Sequence, residues 1–114
     1  MLFRSRPSHD VARYLIEAGC EVYLVNPTET EVLGRPVYAR LQDVPAHIDI
    51  VDVFRRPEFC AEHAREAVAA GAGTLWLQLG IASWEAARIA HEAKLGVVMD
   101  RCLLVEHRRL IGRG

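Results

Sequence analysis

Ile50-Val51-Asp52-Val53-Phe54-Arg55-Arg56-Pro57-Glu58 is the stretch that decides the fold. Five mostly apolar residues, two of them valines, make a buried strand, and the run stops at two arginines and a proline. Pro57 suits the first position of a helix, because the N–H it lacks would be unpaired there. Glu58 complements the helix dipole, and Ala61, Ala64, Ala67 and Val68 continue the helical face to Gly71. A strand is predicted next over residues 74–78, so the unit is strand, turn, helix, strand. That order implies a parallel sheet, whose ligands bind beyond the carboxyl ends of its strands.

The same punctuation recurs outward in both directions. Val22-Tyr23-Leu24-Val25 meets Asn26-Pro27, Leu75-Trp76-Leu77 meets Gln78-Leu79-Gly80, and Val97-Val98-Met99 meets Asp100-Arg101-Cys102. Ser8 is placed to cap a helix over about residues 9–18, closed by Gly19, and Ser83 caps another that Gly96 ends. Between residues 28 and 47 the pattern is weak. Gly34-Arg35-Pro36 reads there as a turn and residues 41–44 as one helical turn before Pro45. Residues 103–110 read as a short docking helix. The expectation is four strands and about three helices in one domain, residues 1–114.

Composition narrows the function. The chain has 114 residues, 51% of them hydrophobic, and a formal net charge of −1, so bulk charge gives no reason to expect nucleic acid. No run reaches the roughly 18 apolar residues of a membrane span. Cys20, Cys60 and Cys102 lie far apart and form no metal-ligand spacing, which favours a reduced cytoplasmic protein without a metal site. Neither a G-x-S-x-G elbow nor a phosphate-binding G-x-x-x-x-G-K-[ST] loop occurs, and His9, His47, His63, His91 and His107 fall in unrelated elements. Enzymatic chemistry is not expected.

Taken together, Arg6-Pro7-Ser8-His9, Asn26-Pro27, Ile50 to Arg55, Trp76 to Ile81 and Val98 to Cys102 resemble, in order and spacing, the small stand-alone CoA-binding proteins. Those are similar to the CoA-binding domain of the succinyl-CoA synthetase alpha subunit. The resemblance implies an α/β Rossmann-like open parallel sheet with strand order 3-2-1-4-5. This chain departs from it by lacking the initial strand and glycine loop ahead of Arg6, so it reads as shortened at its N-terminus. By that topology the absent strand is central, flanked in pairs by the four strands read above, unless the first six residues or another chain replace it.

The resemblance implies CoA or an acyl-CoA as the small-molecule ligand, bound without catalysis, with homo-oligomerisation left open. Arg6 and Ser8 would serve the pyrophosphate. Asn26 and Pro27 stand where an NAD-binding unit carries an acid for the ribose, which disfavours NAD. Phe54 and Arg55 combine an apolar face with a phosphate fork. Gln78, Gly80 and Ile81 would lie along the pantetheine arm, and Arg101 sits in a cluster whose Cys102 could exchange with a CoA thiol. Each of these also has a plain reading as a cap, a turn or a solvated charge. Two other functions stay open: an NAD(P)-binding oxidoreductase-type unit, and a ligand-free structural or interaction domain.

Overall fold

The computed structural model describes residues 6–26, 31–32 and 34–111, with the side chains of residues 10–26 and 34–110. Helix α1, Arg6–Glu17, leads to strand β1, Leu24–Val25, followed by β2, Glu31–Val32, and β3, Arg35–Tyr38. A single 3-10 turn at Leu41–Asp43 precedes β4, Ile50–Val53. Then α2, Pro57–Ala69, alternates with β5, Thr74–Leu77, α3, Trp84–Glu92, β6, Gly96–Val98, and α4, Leu103–Ile111. Pro57 stands at the start of α2, and the Ser83 hydroxyl caps α3 by accepting from the Ala86 N–H at 3.2 Å, both as the sequence predicts.

The strands form two ladders, β1-β3-β2 and β4-β5-β6. All pairings are parallel except the β2–β3 hairpin. The Rossmann-like α/β class is therefore the observed one. Within these ladders β3 lies between β1 and β2, and β5 lies between β4 and β6.

Two details of the sequence reading are corrected. The strands do not flank a centre in pairs, because β3 takes the place beside β1 with β2 beyond it, leaving β4, β5 and β6 together in the other ladder. Residues 31–38 escaped notice because Gly34 and Pro36 dominate them. Gly34, at φ 70°, makes the hairpin turn. Pro36 is tolerated because the ladder to β1 uses Val37 and Tyr38, beyond the residue that lacks an N–H. The second correction is at α3, which ends through Lys94 at φ 66° rather than at Gly96.

Strand alternation divides the core into two layers. Val51 and Val53 face one side with Leu75 and Leu77, against Cys60, Ala64 and Ala67 of α2 and Ala86 and Ala90 of α3. The small alanine side chains let both helices approach the sheet and each other closely. On the other side Val11, Ala12 and Leu15 of α1 pack with Leu24, Phe54, Leu103 and Leu104. Tyr14 joins α1 to α4 through a 3.0 Å hydrogen bond to His107 Nδ1. No described helix is long and apolar enough to cross a membrane.

Candidate functional site

Beyond the carboxyl ends of β4 and β5 lies a cleft of about 600 Å3, lined by Val11, Phe54, Arg55, Gln78, Ile81 and Cys102 together with the Leu79-Gly80 turn and Arg56-Pro57. The strand ends put them there. Phe54 and Arg55 leave β4 directly, and the Gln78 N–H still donates to the Val53 carbonyl at 3.2 Å, holding the two exits side by side. The turn after β5 is closed by the Ile81 N–H on the Gln78 carbonyl at 2.9 Å.

Gly80 occupies the left-handed region at φ 83°, where a side chain would be strained. Its N–H donates to Asp100 Oδ1 at 2.7 Å, and the Asp100 N–H returns a bond to the Ile81 carbonyl at 3.1 Å. These two bonds clasp the loops after β5 and β6. Trp76 adds a third tie, its indole N–H donating to the Arg101 carbonyl at 2.7 Å. Gly80 thus shapes the rim, since its amide is already committed.

Under the cleft sits a buried polar pair. Gln78 Nε2 donates to Asp52 Oδ1 at 2.6 Å, and both residues are 3% exposed. Burial pushes the Asp52 carboxyl up to about 7, with the Gln78 amide acting in the opposite sense by favouring the charged form. The Arg55 guanidinium lies 4.7 Å from the centre of the Phe59 ring, which orients it along the start of α2. Cys60 is buried behind this turn and its thiol donates to the Arg56 carbonyl at 3.5 Å. Burial pushes that thiol up to about 11, so it is not a nucleophile at neutral pH.

Five residues read from the sequence therefore meet in one cleft: Phe54, Arg55, Gln78, Gly80 and Ile81. Asn26 is buried at the end of β1, its N–H on the Tyr38 carbonyl at 2.8 Å, and is not among the described lining residues. Nor is Arg101, which is exposed and whose Nη1 donates to the Asp100 carbonyl at 3.1 Å. Arg6 and Ser8 lie in the first turn of α1, which begins at Arg6, so Ser8 is inside the helix and not the cap ahead of it that the sequence predicts; their side chains lie outside the described residues, and Pro27 lies outside them altogether. Val11, Pro57 and Leu79 were not singled out as site residues. Cys102 follows Arg101 in the quoted motif and was in view, but Val11 reaches the cleft only because α1 crosses the sheet.

Among the described residues no cluster of three or more potential metal ligands occurs, and the three cysteines are unpaired thiols. A family model described as CoA binding domain matches residues 3–108. The uncharacterized protein YneT of Bacillus subtilis (strain 168) is 38% identical over 102 residues, which are 90% of this chain and 76% of YneT. A hypothetical protein from Pyrococcus horikoshii OT3 superposes with a TM-score of 0.94 at 39% identity, over 97% of this chain and 81% of that one. The structure titled cell-free ID.343 from Thermus thermophilus matches with a TM-score of 0.87 at 46% identity, over 92% and 80%.

Proposed function

Because the chain belongs to the CoA binding domain family, we propose that it binds CoA or an acyl-CoA in the cleft beyond β4 and β5, without catalysing a reaction on it. The observation that carries the reading is the composition of that cleft. Two arginines, Arg55 and Arg56, line it with the apolar residues Phe54, Ile81 and Val11, and the Arg56 guanidinium stands 4.0 Å from Glu58 Oε1 at the start of α2. CoA makes this double demand, with anionic phosphates at one end and a long, weakly polar pantetheine arm at the other. Arginine forks suit the phosphates, and the open Gly80 turn lets the arm run close to the backbone.

Gln78, fixed by Asp52, gives the arm a positioned polar neighbour. Arg6 and Ser8, at the first turn of α1, are assigned to the pyrophosphate. Asn26 in place of an acid speaks against NAD as the ligand.

Calorimetry with CoA, dephospho-CoA and NAD tests the reading on the unaltered protein. CoA is expected to bind most tightly and dephospho-CoA more weakly, for want of the 3′-phosphate. Equal affinity for CoA and NAD would contradict it.

A further inference from the structure

Asp52 and Gln78 come from neighbouring strands. Asp52 stands in β4 opposite Trp76 of β5, and Gln78 is the residue that follows β5. The bond from Gln78 Nε2 to Asp52 Oδ1 is short, at 2.6 Å, and both ends of it are buried. Elementary chemistry fixes the orientation of the amide. An ionised carboxylate has only acceptors, so Asp52 takes the NH2 end of Gln78 and leaves the carbonyl oxygen for the opposite side.

That oxygen is open. Among the described residues Asp52 Oδ2 is the one buried side-chain oxygen or nitrogen without a hydrogen-bond partner. Gln78 Oε1 has no partner there either and is therefore not sealed in, and Gln78 lines the strand-end cleft together with Phe54 and Ile81. A lone carbonyl oxygen among apolar side chains selects a ligand group that donates, because an acceptor placed against it would leave both groups unpaired. On the reading that CoA occupies this cleft, the pantetheine arm brings the matching group. Each of its two secondary amides carries one N–H, set between hydrocarbon segments that suit Phe54, Ile81 and Val11.

We propose that Gln78 receives an amide N–H of the arm on its carbonyl oxygen, and that Asp52 is the positioning residue that keeps Gln78 an acceptor. Asp52 touches no ligand in this role; it acts by holding the NH2 end. Protonation lifts the restriction, since the Asp52 O–H donates to Gln78 Oε1 once the amide turns over, and the NH2 end then meets the ligand. Burial pushes the Asp52 carboxyl up to about 7, with Gln78 and the amino-terminal charge acting in the opposite sense, so the orientation is fixed above neutral pH and released below it. Other charged groups surround the pair without joining its bond. Glu21, His47, Asp49 and His107 line the recess behind Asp52, and Arg55 and Arg56 line the cleft in front of Gln78.

The test is calorimetry on the unaltered protein at pH 5.5 and pH 8.5 with CoA and two CoA analogues, in each of which one amide of the arm is replaced by an ester. At pH 8.5 one analogue is expected to bind about tenfold more weakly than CoA, because an ester oxygen faces Gln78 Oε1. At pH 5.5 that ratio should fall to about threefold or less. Titration of the CoA phosphates and of the surrounding side chains cancels in the ratio. In Asp52→Asn, whose side-chain amide meets either end of Gln78, the ratio should be small at both pH values. Analogues that both match CoA at pH 8.5, or a ratio unchanged between the two pH values in the unaltered protein, would overturn the inference and leave the CoA reading standing. Failure of CoA itself to bind would remove both. The pH comparison needs no variant, so it decides the matter even if Asp52→Asn folds poorly.

Discussion

Replacing Asp52 by asparagine removes a carboxyl group that burial holds at about 7 in place of its ordinary 3.8. Between those two values the folded protein keeps a proton that the unfolded chain has already lost. Stability therefore falls as pH rises through that interval, by about 1.4 kcal/mol per pH unit. Across the whole interval the loss is about 4 kcal/mol, and from pH 5 to pH 7 it is about 2 kcal/mol. Above about pH 8 the penalty is fully present and no longer grows. Asparagine keeps the shape and an oxygen for Gln78 but has no proton to lose. Urea denaturation of both proteins at pH 5, 6, 7 and 8 isolates the effect, because every other titrating group cancels in the difference. The stability of the natural protein relative to Asp52→Asn should drop by about 3 kcal/mol between pH 5 and pH 8. A difference that stays flat, or that rises with pH, would refute the assignment of a buried, proton-retaining carboxyl.

Further outcomes follow from the same geometry. Gln78→Leu deletes the donor to Asp52 and should cost about 1–3 kcal/mol at pH 8, with the Asp52 carboxyl moving further up in a carbon-detected titration. Leu75→Ala, at a side chain that is 0% exposed between the helices and the sheet, should cost about 2–5 kcal/mol in urea denaturation. Gly80→Ala meets no atom within 4 Å of the added carbon, so its cost of about 1 kcal/mol should come from the positive φ alone. It should also weaken CoA binding by disturbing the turn.

Much of this was legible in the chain. Pro57 and Ser83 announce their helices because local capping chemistry is enough to decide them, and Phe54, Arg55, Gln78, Gly80 and Ile81 share a cleft because parallel strands deliver their exits to one edge. The hairpin of β2 and β3 was not legible, since two-residue and four-residue strands broken by Gly34 and Pro36 carry no periodicity. Asp52 offered a signal that went unused: an acid in the middle of a buried apolar run needs a partner. Its partner Gln78 lies 26 residues away in sequence and is brought to it only by the β4–β5 register. Asn26 and Arg101 looked equivalent to the cleft residues because they too follow strands, but Asn26 ends buried against β3 and Arg101 turns outward.

The most direct check of the central claim is a titration of the protein with CoA followed residue by residue in the amide and methyl spectrum. Binding in the strand-end cleft predicts saturable shifts at Phe54, Gln78, Gly80 and Ile81, with Leu15 and Ile48 unaffected. Shifts absent from those four residues, or centred on Leu15 and Ile48, would contradict it.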